Sequence, residues 1–214
     1  VVRTFRAIRY FVRREIPPAI LQGTFSFDGS EYEYFCHQYN NTWRNERAVE
    51  IPIISNMVKS CTGRVLEVGN VLPHYFPTSH EVVDKYETWP GVINEDIVGF
   101  KSPEPYDLIV SISTLEHIGF DEPIVQPGKI KEAIESLKEN LKVGAKMVVT
   151  MPLGQNPEVN ELVRDGSMFD ELRFMKKVSK GWRETSKEEA LASPYDRELG
   201  SARAVVIATI KRIA

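Results

Sequence analysis

Between Gly63 and Met151 the chain repeats one unit: a short run of aliphatic residues that ends on polar side chains, followed by a turn-rich or helical segment. The runs are "GRVLEV" (Gly63–Val68), "HEVVD" (His80–Asp84), "GVIN" (Gly91–Asn94), "YDLIVSIS" (Tyr106–Ser113) and "AKMVVTM" (Ala145–Met151). Runs this short, rich in Val, Ile and Leu, suit strands covered on both faces, as in a parallel sheet. Parallel neighbours cannot be joined by a tight hairpin and need a crossover, most often a helix. The repeat therefore predicts a doubly wound α/β domain with right-handed crossovers.

The intervening segments agree. Ile130, Ala133, Ile134, Leu137 and Leu141 recur at helical spacing, with Lys142-Val143-Gly144 as a stop. Asn156-Pro157 has the form of an N-cap and first-turn proline, with Val159, Leu162 and Val163 facing inward and Gly166 closing the helix. Ser186-Lys187-Glu188-Glu189 reads as a capping box. Phe174–Val178 and Ala204–Ile210 read as two last strands with a long irregular stretch between them, a lid or an interface. The expected architecture is a mostly parallel, Rossmann-like sheet of about seven strands with a C-terminal antiparallel strand pair. Residues 63–214 form this domain, and residues 1–62 form an N-terminal helical extension covering the site.

A chain of 214 residues suits one such domain with elaborations. Its net charge of −3 argues against general nucleic-acid affinity. Cys36 and Cys61 have no metal-ligand spacing, no paired ligand spacing such as HExxH occurs, and a reducing cytoplasm follows from so few thiols. No run approaches the roughly 20 apolar residues of a membrane span. The first fifteen residues, "VVRTFRAIRYFVRRE", would place Phe5, Ile8, Phe11 and Val12 on one helical face flanked by arginines. Such a helix can lie on an anionic membrane, or dock on its own domain or a partner.

In an open parallel sheet, ligands sit beyond the carboxyl ends of the strands where the strand order reverses. Four strand ends bring polar residues there: Glu67-Val68-Gly69-Asn70, then Asp84, then Glu95-Asp96-Ile97, then Ser113 through His117. A pyrophosphate wants a glycine-rich loop of bare N–H groups, and the chain has neither GxGxxG nor GxxxxGK[ST]. Glu67 beside the turn would repel phosphate and suits an ammonium or sulfonium charge. S-adenosylmethionine carries both, with a ribose for Asp84 and an adenine for Asp96 and Ile97.

This region resembles a class I S-adenosylmethionine-dependent methyltransferase, above all in "YDLIVSISTLEHIG" and the ordered set of strand ends from Gly63 to Gly154. The resemblance implies that the acid-x-Gly-x-Gly turn holding the aminoacyl end of the cofactor is Glu67, Gly69 and, imperfectly, Val71. It implies that Asp84 binds ribose, and that Asp96 and Ile97 meet the adenine. "LKVGAKMVVTMPLG" is similar to the family's fifth-strand stretch, with Ala145 where a second glycine is usual. Asn70 tolerates unusual backbone angles and can donate a hydrogen bond in place of the missing glycine.

The resemblance further implies that the segment before the first strand covers the cofactor and shapes the acceptor pocket. His37, Tyr39, Asn40, Trp43 and Arg47 are the candidates, although Tyr39 and Trp43 equally suit plain packing on the sheet. Thr42 or Asn45 is the expected cap of a helix running toward Cys61, with Pro52 constraining its course. His117 is the candidate general base, since histidine titrates near neutrality, or else a residue capping the following turn. Trp182 and Tyr195 belong to segments that either line an acceptor site or form a solvated loop. The expected activity is methyl transfer to an oxygen or nitrogen on a small molecule or glycan; the alternative, suggested by Val71, is a non-catalytic scaffold that has lost its cofactor.

Overall fold

The computed structural model describes Leu21 and residues 23–213. The basic segment at residues 1–15 lies outside the described residues. The elements in chain order are β1 (Thr24–Phe27), β2 (Ser30–Glu33), α1 (Arg47–Ser60), β3 (Val65–Val68), β4 (Glu81–Val83), β5 (Val92–Ile93) and β6 (Tyr106–Ile112). There follow α2 (Lys129–Glu139), β7 (Leu141–Pro152), α3 (Pro157–Asp165), β8 (Glu171–Val178), β9 (Gly181–Glu184), α4 (Lys187–Leu191), β10 (Tyr195–Asp196), β11 (Ser201–Ala202) and β12 (Ala204–Lys211).

Eight of these strands form one sheet in the order β5-β4-β3-β6-β7-β12-β8-β9. The first five are parallel. Beyond them β12 runs antiparallel between β7 and β8, and β9 folds back antiparallel on β8. The mostly parallel α/β architecture is as expected. The additional strand, β9, contains Trp182, which is buried at 4% exposure rather than solvated in a loop. From β3 the chain runs outward through β4 to β5, then returns to the other side of β3 as β6. The order therefore reverses between β3 and β6, and the crevice of such a sheet opens there.

Alternation along the central strands feeds two apolar layers. Ile109, Val206 and Ala208 face the layer with Ile134 and Leu137 of α2 and Val159 of α3. Leu108, Val110, Val205 and Ile207 face the opposite layer with Ile51, Ile53 and Ile54 of α1. The expected caps form: Asn156 Oδ1 accepts from the Glu158 amide, and Ser186 Oγ from the Glu189 amide. Gly166 ends α3 at φ +76°, a backbone angle that glycine adopts without a side-chain penalty.

The extension before β3 differs from the helical expectation, because its described part begins with the β1–β2 hairpin. Phe25 and Phe27 are buried in the α1 layer, which supplies a physical reason for the alternating "TFSF" to extend rather than coil. Tyr34 then pins the segment to the far sheet edge: its hydroxyl accepts from the Trp182 amide at 2.8 Å. A Cβ at Gly181 would lie 2.3 Å from that hydroxyl, so this approach requires glycine. Pro52 has no N–H for the Ala48 carbonyl four residues back, and the Phe35 amide supplies the donor instead at 3.0 Å. Glu46 is the N-cap and makes no side-chain cap bond; one residue earlier, Asn45 Oδ1 accepts from the Arg47 amide at 3.0 Å. Among the described residues, no helix is long and apolar enough to cross a membrane.

Candidate active site

The turn after β3 is built around Gly69. Its amide donates to the Val83 carbonyl on β4 at 2.9 Å, and its φ of +86° favours glycine. A Cβ here would fall 2.2 Å from Thr114 Oγ1, so the two strand tips close on each other only because this side chain is missing. Glu67 lies beneath the turn, fully buried. Its Oε1 accepts from the Val71 and Leu72 amides at 3.0 and 2.7 Å, and its Oε2 meets His80 Nε2 at 2.6 Å. The carboxylate thus braces the loop from inside rather than opening onto the crevice. Val71 packs with the apolar layer under α1 and not into the crevice. The Asn70 amide donates to Asp84 Oδ2 at 3.3 Å and its Nδ2 to Glu87 Oε1 at 2.8 Å, which ties the first two strand ends together.

Asp84 organises the second tip, its Oδ1 accepting from the Tyr86 and Glu87 amides at 2.8 Å each. Between these tips and residues 114–118 lies a cavity of about 100 Å³. Gly69, Asp84, Asp96, Ile97 and His117 all line it, together with apolar Val83 and Ile118. Lys85 bonds Asp96 at 2.8 Å and Glu122 at 3.1 Å, and Lys129 lies 2.8 Å from Glu122 and 3.6 Å from Asp96. Partial burial pushes the Asp96 carboxyl up, but the bonded Lys85 ammonium and the Val98 amide outweigh it and hold the group below the usual carboxylate range.

Behind His117 lies a second constellation. Glu46, Glu50 and Glu116 are buried at 8%, 0% and 1% exposure around one cation, Arg47. Arg47 Nη1 pairs with Glu50 at 2.8 Å, and Nη2 reaches the Ser113 carbonyl at 3.4 Å. Ser113 Oγ donates to Glu50 Oε1 at 2.6 Å from a backbone at φ +39°, so Ser113 belongs to this group and does not line the crevice. Glu46 Oε2 accepts from the Ala202 amide at 2.9 Å. Burial, then repulsion from Glu50, pushes the Glu46 carboxyl up to about 7. Burial raises Glu116 well above its ordinary value, and its Oε2 has no hydrogen-bond partner. His117 links the two regions: Nδ1 meets Asp121 at 2.5 Å, and Nε2 stands 3.5 Å from Glu116 Oε1.

Of the covering residues, Arg47 reaches the interior, and His37, Tyr39 and Asn40 approach it only through Tyr75. Trp43 is buried in the α1 layer. His37 and Tyr39 are exposed on a ring cluster in which Tyr39 stacks on His74 at 4.7 Å and His37 meets Tyr75 edge-on at 5.3 Å. Burial drives the Tyr75 hydroxyl up to about 12, against the pull of Arg47. Tyr195 of β10, also raised to about 12 by burial, feels Glu46 and Glu116. Sequence reasoning took Thr114 and Glu116 only as part of the polar strand end from Ser113 to His117, and passed over Lys85, Glu122 and the pair Glu46 and Glu50. A signal for the last was present: Glu46 and Glu50, like charges four apart beside an otherwise apolar helix, repel unless something between them answers. Among the described residues, no group of three or more His, Cys, Asp or Glu could hold a metal ion.

No family model matches the chain, and no curated protein matches its sequence. Among solved structures, it is similar to the N-methyltransferase NodS from Bradyrhizobium japonicum WM9 in complex with S-adenosyl-L-homocysteine, at 15% identity and a TM-score of 0.47 over 78% of this chain and 87% of that one. It is similar to TehB from Haemophilus influenzae at 15% identity and a TM-score of 0.46, over 82% and 66% of the two chains. An S-adenosylmethionine-dependent methyltransferase from Clostridium acetobutylicum aligns at 11% identity and a TM-score of 0.41, over 76% and 89%. Scores below 0.5 at such identities leave the chemistry to be read from this chain's own residues.

Proposed function

We propose that the chain is an S-adenosylmethionine-dependent methyltransferase acting on an oxygen or nitrogen of a small molecule or glycan. The observation that carries this is the meeting of Gly69, Asp84, Asp96, Ile97 and His117 around one cavity at the point where strand order reverses. The donor set fits an adenosine ligand with a cationic tail. Asp84 would take the ribose hydroxyls through Oδ2, its less engaged oxygen. Ile97, Val83 and Ile118 would cover the adenine, and Asp96 would accept from its amino group. Gly69 contributes bare backbone to the cavity wall, beside which the aminoacyl end would lie. Asp84, Asp96 and Glu122 outnumber the cations Lys85 and Lys129 around the cavity, which disfavours a polyphosphate.

Bound there, the cofactor would supply a methyl group already activated on sulfur, so orientation and exclusion of water account for most of the acceleration. His117 would take the proton of the incoming nucleophile, oriented by its bond to Asp121. The departure at Val71, which suggested a decayed scaffold, leaves the cavity untouched because that side chain packs elsewhere.

The test is a thermal-shift panel of S-adenosylhomocysteine, NAD, ATP and a sugar nucleotide, followed by calorimetry. S-adenosylhomocysteine alone is expected to stabilise the protein and to release heat on binding, and Asp84→Ala to abolish both. Neither heat nor shift with the wild type would remove the proposal.

A further inference from the structure

We infer that the acceptor side of this site takes an organic ammonium ion, bound by the Glu116 carboxylate behind His117 and by the ring cluster that begins at Tyr75. This rests on the methyltransferase reading above and narrows it to an amine acceptor.

Glu116 is the reason. It is 1% exposed, and its Oε2 has no hydrogen-bond partner. Leaving a buried carboxyl oxygen unpaired is unfavourable, and native structures keep such groups where they have a use. It adjoins the cavity through His117, at 3.5 Å from Nε2. The groups facing it are Arg47, Glu46 and Glu50 from α1 and its lead-in, His117 on its own turn, and Tyr195 from β10. That set holds three carboxyl groups beside one guanidinium, and Arg47 is already matched by Glu50 and the Ser113 carbonyl. An anionic ligand would find no free cation among these groups. A cation would supply the missing partner.

The neighbouring surface has the same preference. Tyr75 lies in the field of Arg47, and Phe35, His37, Tyr39 and His74 continue from it in ring contacts of 4.7 to 6.0 Å. Aromatic faces attract ammonium groups and give no such preference to a neutral hydroxyl. Burial holds the Glu116 carboxyl well above its ordinary range, and an arriving ammonium would pull it back down and favour release of a proton.

The probes are methylamine, butylamine and benzylamine, each paired with its alcohol, together with benzoate, titrated by calorimetry and NMR into the protein saturated with S-adenosylhomocysteine. At least one amine is expected to bind about tenfold or more tightly than its alcohol, with benzoate weakest, an advantage of about 1.4 kcal/mol. Its binding heat should vary with the ionisation enthalpy of the buffer, reporting the released proton. Glu116→Gln should erase both the preference and the buffer dependence while S-adenosylhomocysteine binds as before. A panel in which no amine outbinds its alcohol, including one in which nothing binds, overturns the inference, as does a preference that survives in Glu116→Gln. Should that variant not fold, the wild-type ratio and buffer dependence decide. Failure of S-adenosylhomocysteine itself to bind would strike the methyltransferase reading; its binding without an amine preference would strike only this one.

Discussion

Replacing Gly69 by alanine tests the geometry on which the site depends. Two penalties combine. A left-handed backbone at φ +86° costs a residue with a Cβ roughly 1–2 kcal/mol. The new methyl would also stand 2.2 Å from Thr114 Oγ1 and 2.7 Å from Cγ2, an overlap of the kind that costs about 1–3 kcal/mol as neighbours shift. Together they predict a loss of roughly 2–5 kcal/mol. Thr114→Ala removes both of those atoms and leaves only Cβ, at 2.9 Å. Alone it should cost about 0.5–1.5 kcal/mol, because Thr114 Oγ1 donates to the Ile112 carbonyl. In the double variant the two closest overlaps are gone while the Cβ contact at 2.9 Å and the backbone strain stay, giving a coupling of about 1–2 kcal/mol. Urea denaturation of the four proteins measures it, with S-adenosylhomocysteine binding followed in parallel. Equal cost of Gly69→Ala in both backgrounds would refute the close approach of the two strand tips. A cost below about 1 kcal/mol would refute the left-handed turn as well.

Three further outcomes are expected. Because the native Glu46 carboxyl is raised to about 7 from 4.5, the folded state binds more protons than the unfolded chain between those values. Its contribution is therefore present at acid pH and lost as pH rises through about 7, and the stability of wild type relative to Glu46→Gln should fall by on the order of 3 kcal/mol across that window in denaturation curves. Lys85→Met should free Asp96 and tighten S-adenosylhomocysteine about threefold by calorimetry, a small effect because this pair is one-third exposed; weaker binding would contradict an adenine contact at Asp96. Glu67→Gln, which disrupts the bond to His80 Nε2, should lower stability by about 1–3 kcal/mol yet change S-adenosylhomocysteine affinity less than threefold, the signature of a brace and not a ligand contact.

The comparison of Glu67 with Asp84 explains what could be read in advance. Both acids close a strand in sequence, and both were expected to face the ligand. Asp84 lines the cavity because it sits just past the last residue of β4, where the chain turns outward. Glu67 is inside β3, one residue before its end, and the period-two geometry of a strand sends it to the α1 side. With Val68 paired to Val83, Asp84 stands two positions beyond Glu67, past its strand rather than inside it, and apolar runs without alternation do not encode that register. The extension shows the same limit. Its helix and the bond from Asn45 to the helix start were legible because such bonds and 3.6-residue periods are local. The pinning of Phe35 to Ala48 through the proline vacancy was not, since the donor comes from outside the helix.

What the sequence determined by itself was the succession of strands and helices from β3 to β8, the caps at Asn156 and Ser186, and the glycine turn at Gly69. Each depends on residues within a few positions of one another, where backbone sterics and side-chain period act directly. Tertiary structure alone decided the pairing of β9, the inward course of Glu67, and the gathering of Glu46, Glu50 and Glu116 around Arg47. Those acids stand up to 70 residues apart in the chain and become neighbours only when α1 packs across the end of β6. Burial then changes their protonation, a property that arises from the surrounding dielectric and that a linear string of residues does not carry.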